Sequence, residues 1–391
     1  MSITNKVEVL APAGSMEAFF AAIHTGADAV FMGVDTLNAR TMAKNFSIDE
    51  YITCLNYAHI RGVKVYLTLN TLCEDNEIQE ALKIVEKLYV EGLDAVIVQD
   101  LGLAYVLHQM FPKLALHAST QMSVYSLLQV KFLETLGFTR VVLARELSIE
   151  EIKYICQNTS MEIEVFIHGA LCVCLSGQCN MSALIGNRSA NKGSCAQPCR
   201  MKYSLYKDKE KLVQDRYLLS KKDIYGINHV EALINAGVTS LKIEGRNRSP
   251  EYVAQAVLVY KKKAQEHVID SALEKNLQQM FVRTTPSSGY FDGVLKAESI
   301  SFLSPKNTGL YLGKICDKNN KLIKVKLNED IFLHDGIEVI ETGSSTIVTL
   351  IKDEKGNFLN NDGAKKRTIR MAWRYCRCVI RIIIIVLERD R

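Results

Sequence analysis

Four cysteines lie close together in the chain, at Cys172, Cys179, Cys195 and Cys199. Cysteine sulfur is a ligand for soft metals and iron–sulfur clusters, and four such ligands complete the usual shell. Their spacings match neither the paired C-x2-C knuckles typical of structural zinc nor the common ferredoxin runs. Spacing alone therefore leaves a zinc site and an iron–sulfur site both open. Cys174 is interpreted as a packing or spare thiol.

Disulfide bonds are a further use for these cysteines, but the start of the chain argues against them. Residues 1–6 read Met-Ser-Ile-Thr-Asn-Lys, without the apolar core of a secretion signal. Disulfides are rare in the reducing cytosol. We therefore predict a cytoplasmic protein whose cysteines stay reduced, and we predict no membrane association.

The charge of the chain is unevenly distributed. The formal net charge is +5, yet residues 364–391 hold nine Lys/Arg against two Asp/Glu, so the first 363 residues sum to −2. Phosphate binding needs clustered Lys/Arg rather than a favourable average. A broadly basic nucleic-acid-binding surface is therefore excluded for the main body, and any RNA contact must be local or use the tail.

The elements that would position the cysteines repeat along the first 265 residues. A glycine that ends a helix and leads into a buried strand occurs at Gly26, Gly62, Gly92, Gly137 and Gly237. Eight strands are predicted, and they are 7–10, 29–34, 64–69, 95–99, 115–118, 140–144, 163–167 and 240–243. Eight strands with helices between them predict a (β/α)8 TIM-like barrel, with a doubly wound open sheet as the alternative.

The cysteines fall in a long insertion, residues 169–239, after strand 7 of the predicted barrel. In this fold the C-terminal ends of the strands carry the active site. Polar residues at other strand ends should face the same mouth. The substrate-binding candidates are Asn70, Asp100, His117, His168, Glu244 and Arg246, and Arg145 also ends a strand.

Glu244-Gly245-Arg246 is the most informative of these strand ends. A glycine between opposite charges lets a substrate approach the backbone, and a guanidinium binds a carboxylate or phosphate through two parallel hydrogen bonds. Arg248 offers the same chemistry, or faces solvent.

The remainder of the chain is predicted to contain a linker (266–303) and a small β-barrel-like domain (304–363). Residues 311–315 and 322–327 predict a hairpin, and 337–340 and 346–351 predict further strands. The composition changes sharply at 364–391, so we interpret this segment as an atypical basic and apolar tail, from a truncated or frame-shifted end. Its apolar run is too short and too charged to cross a bilayer. Deleting it should leave fold and cofactor content intact.

The motif around the first two cysteines resembles the signature of the collagenase-like peptidase family U32. It runs from Glu164 through Gly169-Ala170-Leu171-Cys172 to Cys179 and Ser182. The opening segment 8–14 and the strand 240–246 extend the resemblance over most of the chain.

The resemblance implies cluster ligands at Cys172, Cys179 and Cys195. Some members take the fourth ligand from a cysteine just after Lys222-Asp223-Ile224. This chain has Tyr225 there, so the resemblance implies Cys199 instead.

What the resemblance implies about function is RNA modification, above all 5-hydroxylation of a tRNA wobble uridine. The implied cofactor is a 4Fe-4S cluster, with zinc as the alternative. The implied partners are the anticodon loop of tRNA, a small carboxylate metabolite of the prephenate type, and in some settings a protein.

Two other functions stay open. A peptidase would need a nucleophile, and Cys172 near His168 offers a thiolate pair, since the chain has neither H-E-x-x-H nor G-x-S-x-G. An accessory iron–sulfur protein for hydroxylation of a small aromatic substrate would explain the same cysteines.

Overall fold

The structure is a computed structural model that describes residues 7–40, 43–176, 178–295, 297–318, 323–328, 336–338 and 345–347. The chain divides into two compact units. One comprises Met1–Leu277 with Thr285–Pro305, and the other comprises Gln278–Thr284 with Lys306–Arg391. The domain boundaries predicted at 265 and 303 stay predictions, and the predicted tail lies outside the described residues.

Eleven strands are described in the first unit. They are β1 (Glu8–Pro12), β2 (Ala29–Met32), β3 (Lys64–Leu69), β4 (Ala95–Val98), β5 (Ala115–Ala118), β6 (Arg140–Val142), β7 (Glu162–Gly169), β8 (Tyr203–Lys207), β9 (Glu210–Arg216), β10 (Ile224–Tyr225) and β11 (Ser240–Ile243). Strands β1 to β7 and β11 are parallel and pair in sequence, and β11 also pairs with β1. The sheet is therefore closed, which confirms the predicted barrel over the open sheet.

Helices follow most of the barrel strands, two short helices lie between β7 and β11, and the last two come after the final barrel strand. In chain order they are α1 (Met16–His24), α2 (Ile48–His59), α3 (Asp75–Val90), α4 (Leu101–Met110), α5 (Leu127–Thr135), α6 (Ile149–Gln157), α7 (Met181–Gly186), α8 (Val230–Ala236), α9 (Pro250–Glu266) and α10 (Ser271–Met280). Ser47 and Ser148 each form a capping box at the start of α2 and α6. Gly237 ends α8 at φ 102°, a left-handed conformation that favours glycine, directly before β11.

The long insertion between β7 and β11 contains structure that the sequence did not predict. Strands β8 and β9 form an antiparallel hairpin in a sheet of their own. The short strand β10 pairs antiparallel with β7 at the edge of the barrel sheet. The insertion is therefore an ordered extension of the barrel mouth with its own two-stranded ribbon.

The second unit contains two described strand pairs. Strand β12 (Gly313–Lys318) pairs antiparallel with β13 (Ile323–Leu327), which agrees with the predicted hairpin, and β14 (Gly336–Glu338) pairs with β15 (Ser345–Ile347). Across the described part of the chain, no helix has both the length and the apolar character needed to span a membrane.

The interior of the barrel combines apolar side chains with a charged network. Arg140 binds Glu8 at 2.6 Å and Glu164 at 3.2 Å, and Lys242 binds Glu164 at 2.7 Å. The hydroxyl of Tyr66 donates to Glu8 at 2.6 Å. These residues alternate along their strands with residues packed against the helices, as a barrel interior requires. Each charge in this network has opposite charges beside it.

Candidate functional site

Three arginines surround one carboxylate at the C-terminal ends of the barrel strands. Nη2 of Arg40 and Nη2 of Arg145 lie 3.1 Å and 3.0 Å from the same oxygen of Glu244, Oε2. Arg246, two residues further along the chain, also acts electrostatically on this carboxylate. We call Arg40, Arg145 and Arg246 the arginine cluster. It carries three positive charges around one negative charge, which favours an anionic ligand.

The ionisation of Glu244 reflects these neighbours. Burial raises its pKa, but the charges of Arg40, Arg145 and Arg246 more than offset that effect and lower the pKa to about 2. Glu244 is therefore a carboxylate at neutral pH. The Nε atom of Arg145 is buried and has no hydrogen-bond partner among the described residues, so one donor of the cluster stays available.

Arg246 is held inside the mouth by neutral partners. Its Nη1 donates to Oγ1 of Thr68 at 2.9 Å and to Oδ1 of Asn38 at 3.3 Å. Burial, together with the charge of Arg40, lowers its pKa to about 9, so the guanidinium keeps its charge at neutral pH. Gly14 permits this arrangement, because a Cβ there would collide with the backbone carbonyl of Arg246.

The insertion brings the cysteines near one another. Burial raises the pKa of the Cys199 thiol, and Cys172, Cys195 and Cys179 act on it as well, whereas Arg200 lowers it. All these cysteines are free thiols, so they form no disulfides. Cys174 lies beside Cys179 and interacts with it. These thiols are near enough to affect one another's ionisation, and their role as a ligand set stays a prediction.

The sulfur of Cys195 accepts two hydrogen bonds. The backbone N–H of Gln197 donates to its sulfur at 3.3 Å, and the hydroxyl of Ser182 donates at 3.8 Å. Hydrogen bonds to sulfur stabilise a thiolate and tune a metal centre that the thiolate ligates. Ser182 also accepts from the backbone N–H of Ala196, which fixes its orientation.

Arg145 connects the cysteines to the arginine cluster. Its Nη1 donates to the carbonyl oxygen of Ala170 at 2.8 Å, two residues before Cys172. Its charge also acts on Cys172, opposing the rise in pKa that burial causes there. The thiols and the excess positive charge therefore belong to one site at the barrel mouth.

The donor chemistry fits a metal centre that takes cysteine ligands. Cys172, Cys179, Cys195 and Cys199 supply four free sulfurs that influence one another's ionisation. Within the described ranges, no group of three or more His, Cys, Asp or Glu side chains is already arranged as a metal-ion site.

His168, a candidate from the sequence, lies away from the arginine cluster. A register shift opposite Lys242 and Ile243 interrupts the alternation of β7, so His168 does not share the face of Phe166. Its Nδ1 lies 3.1 Å from the hydroxyl of Tyr260, and its ring also contacts Tyr225 and Tyr252. Burial lowers its pKa to about 4, so the imidazole is neutral at pH 7.

The other three candidates have local roles. His117 lies in the barrel interior with its ring 4.8 Å from that of Tyr66, and burial lowers its pKa. Asp100 caps α4 by accepting from the N–H of Leu103 at 2.9 Å. Asn70 accepts from the N–H of Ala39 at 3.0 Å and so supports the loop before Arg40. Among the sequence candidates, Arg246 belongs to the arginine cluster, Glu244 is the carboxylate that the cluster surrounds, and Asn70 contacts the loop that carries Arg40.

Sequence reasoning missed Arg40, Asn38 and Thr68. Arg40 lies in the loop after β2 rather than at a strand end, and Thr68 lies inside β3. Thr68 could have been predicted, because it lies two residues after Tyr66 on the same strand and therefore faces the barrel interior as Tyr66 does. Arg248, considered as a second anion-binding residue, pairs with Asp223 at 3.2 Å.

Comparisons with known proteins identify relatives of this chain. The sequence profile of Peptidase family U32 matches residues 14–301. The chain is 37% identical over 354 residues to the 23S rRNA 5-hydroxycytidine C2501 synthase of Escherichia coli, covering 86% of this chain and 53% of that protein. It therefore spans about half the length of that relative.

Two further relatives match over nearly their whole length. The chain is 34% identical to the tRNA hydroxylation protein P1 of Bacillus subtilis, over 92% of this chain and 90% of that protein. It is 30% identical to a protein named Collagenase from Porphyromonas gingivalis, over 90% of each chain. These matches show that the chain belongs to peptidase family U32.

Proposed function

We propose that this protein is an RNA-modifying enzyme that hydroxylates a pyrimidine, above all the wobble uridine of tRNA. The observation that carries the proposal is the position of Arg145, which contacts both Glu244 and the loop that leads to Cys172. A site for a small anion thereby adjoins four thiols at the barrel mouth. Relatives named for tRNA and rRNA hydroxylation support this reading.

The arginine cluster is proposed to bind a small carboxylate metabolite of the prephenate type. Guanidinium groups recognise carboxylates through paired, charge-assisted hydrogen bonds. Glu244 holds Arg40 and Arg145 in place through one oxygen, and the buried Nε of Arg145 offers a donor to the ligand. The metabolite would thus lie beside the cysteines rather than elsewhere on the barrel.

Cys172, Cys179, Cys195 and Cys199 are proposed to hold a 4Fe-4S cluster, with zinc as the alternative. A bound cluster would supply redox or substrate-activating chemistry. The chain's own contribution is to place the four sulfurs and to donate hydrogen bonds to Cys195 from Gln197 and Ser182. Cys174 is not assigned a ligand role.

The RNA substrate must present an unstacked base to this mouth. Single-stranded loops allow this, because their bases can be extruded at low cost. The anticodon loop of tRNA meets that requirement. A cytoplasmic location and a protein partner are part of the same proposal.

A peptidase function is the main competitor, since one relative is named Collagenase. A thiol peptidase built on Cys172 and His168 would need a thiolate with a lowered pKa. His168, the base of such a pair, instead lies among Tyr225, Tyr252 and Tyr260, with its Nδ1 3.1 Å from the Tyr260 hydroxyl. The geometry therefore favours hydroxylation, either of RNA or, as a second alternative, of a small aromatic substrate.

Cysteine-to-serine variants test the proposal with a matched control inside the same loop. Wild type, Cys179→Ser and Cys174→Ser are expressed in a bacterial host that lacks its own tRNA hydroxylation proteins. Iron and acid-labile sulfide are measured on protein purified without oxygen, and 5-hydroxyuridine is quantified in digested tRNA. We expect about four iron and four sulfide per chain in wild type and Cys174→Ser, with loss of both the cluster and the modified base in Cys179→Ser.

One zinc per chain with no iron would contradict the cluster. Peptide cleavage by wild type that survives in Cys179→Ser and disappears in Cys172→Ser would establish the peptidase instead.

A further inference from the structure

Positive charge is concentrated in the insertion that carries the cysteines. Residues 187–222 contain ten Lys/Arg and three Asp/Glu, although the first 363 residues sum to −2. Part of this charge has a structural use, since Lys192 pairs with Glu74 and Glu77 at 3.0 Å. The exposed remainder lies mainly on the β8–β9 hairpin.

The hairpin exposes both of its faces to solvent. Almost every residue of β9 is exposed, as are Leu205, Tyr206 and Lys207 at the end of β8. Tyr206 is 55% exposed and Leu212 is 50% exposed. A two-stranded hairpin is only marginally stable without a face packed on a core. Exposed aromatic and apolar side chains among cations therefore suggest that a partner covers this ribbon.

Cations and aromatic rings are interleaved on the ribbon. The ammonium of Lys211 lies 5.6 Å from the ring centroid of Tyr206, and that of Lys202 lies 5.7 Å from the ring centroid of Tyr217. Exposed cations on the hairpin are Lys202, Lys207, Lys209, Lys211 and Arg216. Asp208, Glu210 and Asp215 offset some of this charge, so the surface is moderately rather than strongly basic.

The base of the hairpin is fixed beside the cysteines. Arg200, adjacent to Cys199, donates to the carbonyl oxygen of Leu171 at 3.0 Å and to the hydroxyl of Ser220 at 2.8 Å. The hydroxyl of Tyr203 donates to the carbonyl oxygen of Pro198 at 2.9 Å. Strand β8 therefore starts four residues after Cys199 in a defined position.

We infer that the β8–β9 hairpin is the docking surface for a single-stranded RNA loop, whose backbone it binds while a neighbouring base enters the barrel mouth. This rests on the proposed function and adds the contact surface that function requires. Lysine and arginine bind phosphates, and exposed tyrosine stacks on unpaired bases. The exposed cations favour a polyanionic partner. Tyr206 favours an unpaired segment over a duplex, because only an unpaired base can stack on its ring.

The test measures binding rather than modification. A fluorescent anticodon stem-loop RNA with uridine at the wobble position is titrated with wild-type protein between about 50 and 200 mM salt. The test variant replaces all five exposed cations of the hairpin with Gln. The matched control replaces five exposed lysines of the outer barrel, namely Lys83, Lys87, Lys113, Lys131 and Lys153.

We expect the hairpin variant to bind at least about tenfold more weakly. The slope of log binding constant against log salt concentration should become shallower by up to about 3.5 to 4.5, because each of the five phosphate contacts contributes about 0.7 to 0.9. The control should bind like wild type. Equal binding by wild type and the hairpin variant would overturn the inference, as would an equal loss in the control.

A single substitution guards against misfolding of the hairpin variant. Tyr206→Ala should weaken binding of the loop by roughly fivefold or more, because stacking of one base on an aromatic ring contributes about 1–3 kcal/mol. Tyr154→Ala is the control, since Tyr154 is 59% exposed on α6. Unchanged binding by Tyr206→Ala, or preference for a fully paired RNA, would contradict the inference.

The binding test and the hydroxylation test can fail separately. Hydroxylation that depends on the protein, together with binding that ignores the hairpin, overturns the docking surface alone. Hairpin-dependent binding without any hydroxylated base supports the docking surface and contradicts the enzymatic function.

Discussion

The interior and the mouth of the barrel both contain buried arginine and glutamate, but their charge balance differs. In the interior, Arg140 and Lys242 face the carboxylates of Glu8, Glu162 and Glu164. At the mouth, three arginines share the single carboxylate of Glu244. In the interior, each positive charge has at least one carboxylate beside it and the ion pairs hold the strands together. At the mouth, the positive charges outnumber the negative charge, which favours binding of an anion.

The pKa shifts of the buried arginines also differ between the interior and the mouth. Burial lowers the pKa of Arg140, but the charges of Glu164 and Glu8 more than offset this and raise it. At the mouth, the pKa of Arg246 is lowered by burial and by Arg40. The interior thus stabilises the charge of Arg140, although burial still lowers the pKa of Lys242 beside Glu164. At the mouth, an anion would stabilise the charge of Arg246.

The largest effect on stability is expected from removal of the central cation of the interior. Arg140→Met leaves Glu8 and Glu164 buried without their main partner, and we expect it to lower the free energy of unfolding by about 3–5 kcal/mol. Urea unfolding followed by circular dichroism measures this. A loss below about 1 kcal/mol would show that the interior network is not the stabilising element described here.

The pH dependence of stability tests the charge balance around Glu244 at the mouth. Its folded-state pKa of about 2 lies below the ordinary value of 4.5, so its ionised form stabilises the fold. The contribution is on the order of 3 kcal/mol, is complete above about pH 4.5 and is lost as pH falls toward 2. Urea unfolding of wild type and Glu244→Gln between pH 6 and pH 3 should therefore show a stability difference that narrows on acidification. A difference independent of pH would contradict the assignment.

Removing one cation from the mouth should affect the ligand more than the fold. Arg40 is 34% exposed and is one of three arginines beside the buried Glu244, so Arg40→Met should cost only part of the roughly 3 kcal/mol that the ionised carboxylate contributes. Loss of a charged hydrogen bond to a carboxylate ligand weakens binding by about 1.5–3 kcal/mol. The metabolite concentration needed for hydroxylation should therefore rise roughly 10- to 150-fold. Hydroxylation is measured against prephenate concentration, with Arg61→Met in the turn after α2 as the control. An unchanged concentration dependence would remove Arg40 from the site.

The smallest effect is expected at an exposed ion pair. Lys192 binds Glu74 and Glu77 on the outside of the barrel, where the lysine side chain is 37% exposed. Exposed pairs contribute at most about 1 kcal/mol. Lys192→Met should therefore leave iron content unchanged and shift the urea midpoint only slightly. Loss of iron in this variant would show that the pair positions Cys195, three residues further on.

The regular parts of the molecule could be predicted because local signals and burial agree there. Strands β3, β5 and β11 start and end at the predicted residues, and the glycine before β11 has the left-handed conformation that its position required. Glu244 and Arg246 were found because they follow a predicted strand, where a barrel places its active site.

What could not be predicted depends on tertiary detail. The register shift in β7 turned His168 toward α9, and nothing in the local sequence marks a shift that depends on pairing with β11. Arg40 comes from a loop, and only the closed barrel brings it to Glu244, 204 residues away. The β8–β9 hairpin was overlooked because its strands are exposed on both faces and lack the alternation typical of a half-buried strand.

Quantification of 5-hydroxyuridine in tRNA tests the central claim most directly. Total tRNA from a host without its own hydroxylation proteins is digested and analysed by mass spectrometry, with and without expression of this protein. The account predicts that the modified nucleoside appears only when the protein is expressed and prephenate is available. Its absence from tRNA, in cells where the protein is folded and carries iron, would contradict the account.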